Sequence, residues 1–81
     1  MIRIHPHGLQ RMAERGATEE EVVATIEHGE SFSAKYGRTG FRHEFVFDRE
    51  WHERYYTTKQ LEVIAVPEND WLVLTVIVRL F

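Results

Sequence analysis

The stretch "LEVIAVPENDWLVLTVIVRLF", residues 61–81, limits the possible folds more than any other part of the chain. "PEND" is turn chemistry set between two runs rich in Val, Ile and Leu, the pattern of a β-hairpin. In the second run Leu72, Leu74, Val76, Val78 and Leu80 alternate with Trp71, Val73, Thr75, Ile77, Arg79 and Phe81, so both faces are largely apolar. Such a strand belongs inside a sheet with at least one covered face. Strict alternation predicts that Leu72, Leu74 and Val76 lie under the cover, with Thr75 and Arg79 on the barer face.

The cover comes from the N-terminal third. "MIRIH" alternates as a short strand, Pro6 suits the first turn of a helix over residues 6–15, and Gly16 suits its end. "TEEE" is a capping-box signature in which Thr18 and Glu21 satisfy each other's backbone donors. Val22, Val23 and Ile26 form the apolar stripe of a second helix, and Gly29 stops it. From Ser31 the period changes to two: "SFSAKY", "FRHEFVF", "ERYYTTK" and "LEVIAVP" read as strands, and "REWHER" as a wide turn or strand edge. The expected fold is α+β: a short N-terminal strand, a two-helix hairpin and an antiparallel sheet of about four strands.

A chain of 81 residues, 43% hydrophobic, fits one domain, residues 1–81. It has no cysteine, which excludes disulfides and thiolate metal sites and suits a reducing cytoplasm. Its longest apolar run is about half what a membrane-spanning helix needs. The net charge of −3 argues against binding polyanions over the whole surface. Acid is concentrated at Glu19, Glu20, Glu21, Glu27 and Glu30, however, and Arg38, Arg42, Arg49, Arg54 and Lys59 bias the middle towards base. A local basic patch is compatible with this distribution.

The first helix stacks His7, Arg11 and Arg15 at four-residue intervals beside an apolar stripe of Leu9, Met12 and Ala13. Like charges at this spacing weaken a helix by about 0.2–0.5 kcal/mol per pair, so they need carboxylate partners or a use. Glu14, Glu19 and Glu20 are the available partners. Arg79, set among Val, Ile and Leu, likewise needs solvent or a partner on its face.

"HPHGLQRMAERGATEEEVVATIEHG" resembles the opening of the bacterial family termed domain of unknown function 4258, through His7, Arg11, Arg15, Gly16 and Gly29. The closing hairpin is similar too, with Thr75 in a recurrent Thr-Val step. More distantly, the order of elements is similar to that of RelE, ParE and BrnT toxins. That likeness implies the toxin of a toxin–antitoxin pair, often one that cleaves messenger RNA on the ribosome and is silenced by an antitoxin.

Metal-free RNA cleavage requires a base for the 2′-hydroxyl and cations for the charge gathering on phosphate. His7, Arg11, His43 and Arg79 supply the catalytic side-chain types; Arg15, Arg42, Tyr55 and Thr75 are candidates for holding RNA. No cofactor is called for. His43 shares its strand face with Phe41, Phe45 and Phe47, which also suits a buried structural histidine. "HPH" with His28, His43 or His52 offers imidazoles without paired metal-ligand spacing, and Glu44, Asp48 and Glu53 fit a solvent-facing strand edge. The expected partners are RNA or the ribosome and an antitoxin or other small protein, with self-pairing into a homodimer also compatible. The alternative is a non-catalytic interaction domain that uses Trp51, Tyr55, Tyr56, Trp71 and Phe81 to bind protein.

Overall fold

A computed structural model describes the whole chain, Met1–Phe81. Strand β1 (Ile2–Ile4) leads into helices α1 (Pro6–Arg15) and α2 (Glu19–His28). Strands β2 (Glu30–Ser33), β3 (Thr39–Trp51), β4 (Arg54–Pro67) and β5 (Trp71–Leu80) follow. The five strands form one sheet in the order β1-β5-β4-β3-β2. All neighbours are antiparallel except β1, which runs parallel to β5, so the sheet is mixed and the N-terminal strand is its fifth member. No helix is long and apolar enough to cross a membrane.

The two helices cover one face, and the core between them and the sheet is Met12, Val22, Phe41, Leu61, Val63, Ala65, Val73 and Val76. Full burial of each of the larger side chains contributes roughly 1.5–3 kcal/mol. Both helix ends are set by the residues expected. Gly16 takes the left-handed conformation (φ 74°) and returns its N–H to the Met12 carbonyl, while Thr18 and Glu21 form the capping box. Gly29 is needed for proximity instead, since a Cβ there would fall 2.5 Å from the carbonyl oxygens of Arg42 and Thr25.

The alternation expected in β5 is broken. Ile64 pairs with Thr75 but Ala65 pairs with Val73, so Leu74 is an extra residue, a β-bulge. The residues under the helices are therefore Val73, Val76 and Val78, where strict alternation placed Leu72, Leu74 and Val76. Thr75 and Arg79 do occupy the uncovered face, opposite Ile64 and Gln60 of β4.

Two further segments differ from the sequence reading. "SFSAKY" is a strand only to Ser33; Lys35–Gly37 form a short 3-10 turn in which Tyr36 has φ 61°. "REWHER" is a two-residue hairpin turn: Trp51 pairs with Arg54, and His52 and Glu53 between them both have positive φ. This hairpin runs beyond the body of the sheet and accounts for a 40 × 23 × 22 Å outline.

Candidate functional site

β1 pairs with β5 only from Trp71 to Val73, so beyond that point β5 has a free edge. α1 starts there. The His5 N–H donates to the Val73 carbonyl at 2.8 Å, and Pro6 opens the helix. His5 is the N-cap: its Nδ1 accepts the backbone N–H of His7 at 3.1 Å. In the neutral ring this fixes the proton on Nε2, making that nitrogen a donor. Gly8 lets the helix settle on the bulge, because a Cβ there would lie 3.1 Å from Ile4 Cγ2 and 3.3 Å from the Val73 oxygen. At the other end of α1, Arg15 donates from Nη1 to the Val76 carbonyl at 2.7 Å and so satisfies an acceptor past the end of β1.

Along this edge lies an open cleft of about 590 Å³. Its walls are His5, His7, Arg11 and Arg15 on one side and Leu74, Thr75 and Ile77 of β5 on another, completed by Arg38 from the β2–β3 loop. No carboxylate lines it. Arg11 is paired with Glu14 at 2.9 Å on the same helix, whereas Arg38 has no acidic partner and lies 5.6 Å from the Tyr36 ring centre. The acidic side chains Glu19, Glu20 and Glu27 gather along α2 around a separate surface hollow, so a chain of net charge −3 keeps a cationic cleft.

The sequence-predicted residues divide. His7, Arg11, Arg15 and Thr75 converge on the cleft. Arg79 and Arg42 do not: both lie on the uncovered sheet face and bind one oxygen of Glu62, Arg79 at 3.0 Å and Arg42 at 3.2 Å. Arg79 thus has the partner that its apolar run demanded, and it belongs to a different site from His7. His43 packs edge-on against Phe45, with ring centres 5.0 Å apart, and borders a separate hollow near His28 and Glu30. Tyr55 is exposed near the tip of the projecting hairpin, opposite Glu50.

Sequence reasoning missed His5 and Arg38 as site residues. His5 carried a signal, since it precedes a Pro at the first helical position and so had to be the N-cap. Arg38 carried none, because only the fold of the β2–β3 loop brings it to β5. No group of three or more His, Cys, Asp or Glu side chains is gathered where it could hold a metal ion. The arrangement offers three guanidiniums, a fixed imidazole donor and, in His7, an imidazole whose ring has no protein hydrogen bond. Those are the groups that bind a phosphodiester and move a proton beside it.

No curated protein and no solved structure compared with the chain matches it. A family does match, over residues 4–78, a span that holds every residue lining the cleft, and the chain belongs to it: the family described as Domain of unknown function (DUF4258).

Proposed function

We propose that the cleft binds the backbone of single-stranded RNA and cleaves it without a metal, as the toxin-type member of a bacterial toxin–antitoxin module acting in the cytoplasm. The observation that carries this reading is the convergence of His5, His7, Arg11, Arg15 and Arg38 on one open cleft lined by no carboxylate. Two helices on one face of a largely antiparallel sheet also suit the distant likeness to RelE-type toxins. Fold likeness alone does not carry chemistry, so the reaction is argued from the side chains.

In the proposed reaction His7 takes the proton of the 2′-hydroxyl, and the freed oxygen attacks the adjacent phosphorus. Arg11, Arg38 and the His5 Nε2–H meet the negative charge on the phosphoryl oxygens. The P–O5′ bond breaks, leaving a 2′,3′-cyclic phosphate. The 5′-oxygen receives the proton held by the His7 imidazolium, so the downstream fragment begins with a 5′-hydroxyl and the upstream fragment keeps the cyclic phosphate. Arg15, tied to the Val76 carbonyl, positions the helix and adds to the field.

Purified protein incubated with RNA in chelator tests the reading. Cutting is expected with the wild type and with Arg79→Ala, and is expected to be lost in His7→Ala at unchanged melting temperature. Arg38→Ala should lower the slope of log affinity against log salt by about 0.7, the single-strand value for one phosphate contact. Expression should arrest growth, and a neighbouring small gene should relieve the arrest. RNA that stays intact with every preparation, yet pulls down with a small protein partner, would leave the non-catalytic interaction domain as the better account.

A further inference from the structure

The cleft continues into a second depression of about 420 Å³ on the uncovered sheet face, with Arg38, Thr75 and Ile77 common to both. This groove is apolar for most of its wall, with Phe32, Ile64 and Ile77 contributing, and Tyr36 stands at its rim. We propose that it seats one base of the RNA and selects bases that carry an exocyclic amine, adenine, cytosine or guanine, over uracil. The proposal rests on the reading of the cleft as the phosphodiester site.

Three observations carry it. Continuity is the first: a phosphate held at Arg38 leaves its nucleoside at the entrance to the groove. Aromatic surface beside that cation is the second. Tyr36 is 86% exposed on a backbone at φ 61°, a strained conformation for a side chain of that size, and its ring faces the Arg38 guanidinium at 5.6 Å. Phe32 is fixed above Gly40, where any Cβ would collide with its ring, and Arg42 packs 4.7 Å from the ring centre. Aromatic and guanidinium planes next to a phosphate cation are what unstacked bases bind.

The third observation is the polarity at the groove floor. Glu62 is 13% exposed, and Arg42 and Arg79 both donate to its Oε2. Its Oε1 accepts from no protein donor, so a fixed, negatively charged acceptor remains for the groove. An amino group donates to it; the O4 of uracil in the same place would be repelled.

The experiment measures anisotropy of labelled 2′-O-methyl oligoadenylate and oligouridylate, which cannot be cut, on the full chain in chelator. Oligoadenylate should bind about tenfold more tightly, the worth of one charge-assisted hydrogen bond. Tyr36→Ala should weaken both oligomers by about tenfold through lost stacking. In Glu62→Gln the two arginines hold the amide oxygen and leave the NH2 for the groove, so the preference should vanish or reverse towards uracil. Equal, salt-dependent binding of both oligomers that neither variant changes would overturn the groove proposal and leave the cleft reading standing. Absence of salt-dependent binding to either oligomer would overturn both.

Discussion

The His5 imidazole accepts the His7 backbone N–H through Nδ1 at 3.1 Å, so one candidate cleft residue fixes the helix start that carries the other. An N-cap of this kind is worth about 1 kcal/mol. Asparagine caps as well but lacks a ring nitrogen to donate into the cleft. His5→Asn should therefore melt within about 2 °C of the wild type and cut RNA much more slowly. His5→Ala should lose both stability and cutting. A His5→Asn protein with full cutting activity would restrict His5 to capping.

Much of this was legible in the chain, and the exceptions share a cause. Capping signals at Pro6, Gly16 and Thr18 gave the helices because they depend on neighbours in sequence. The His7, Arg11 and Arg15 stripe was visible for the same reason, and it marked one wall of the cleft. The bulge at Leu74 was hidden, since periodicity assumes an unbroken pleat and a bulge is settled by what packs on it. The apolar run around Arg79 shows that it needs a partner but not which one; the carboxylate it shares with Arg42, Glu62, comes from another strand through sheet register. Arg38 reaches β5 only after the chain has folded back over the sheet, a relation that no local pattern encodes.

A buried ion pair joins the helical hairpin to the sheet. Lys59, 5% exposed, donates from Nζ to Glu21 Oε1 at 2.8 Å and to the Gly16 carbonyl, linking β4 to the end of α1 and the start of α2. Burial by itself would raise the Glu21 carboxyl. The Lys59 hydrogen bond, the Thr18 N–H and the Lys59 charge together outweigh burial and hold it below its ordinary 4.5. A carboxyl depressed in this way stabilises the fold fully above pH 4.5, and the contribution fades as pH falls through the folded value. Thermal melts of the wild type should therefore fall further below that pH than those of Glu21→Gln. Lys59→Met should cost about 1–3 kcal/mol at neutral pH, less than the roughly 3–5 kcal/mol for breaking a fully buried pair, because Glu21 keeps some solvent. Parallel acid limbs for wild type and Glu21→Gln would remove this pair from the acid response.

The projecting hairpin stores strain away from the cleft. His52 (φ 51°) and Glu53 (φ 66°) occupy consecutive left-handed positions between the paired Trp51 and Arg54, a geometry that favours glycine at the second position. His52 also packs edge-on against Trp51, so Glu53 is the residue to change. Glu53→Gly should relieve about 1 kcal/mol of strain and raise the melting temperature by roughly 4–8 °C. RNA cutting should not change, as no cleft residue lies in this hairpin. A melting temperature that is unchanged or lower would show the turn to be relaxed as it is.

Gly8 couples the bulge to the cleft. The Val73 and Leu74 carbonyl oxygens lie 3.3 and 3.5 Å from where a Cβ at this position would stand, and Ile4 Cγ2 lies at 3.1 Å. Alanine meets these contacts at their limit while gaining up to about 1 kcal/mol of helix propensity, so Gly8→Ala should change stability little. Valine cannot fit without pushing α1 off β5, at about 1–3 kcal/mol. That displacement moves His5 and His7 relative to Thr75 and Ile77 across the cleft. Gly8→Val should therefore lose RNA affinity at temperatures where it is still fully folded, while Gly8→Ala keeps it. The comparison separates a positioning role from loss of the fold, because circular dichroism reports the one and anisotropy the other. Valine and alanine variants with the same RNA affinity would mean that the seat of α1 on the bulge does not set the cleft.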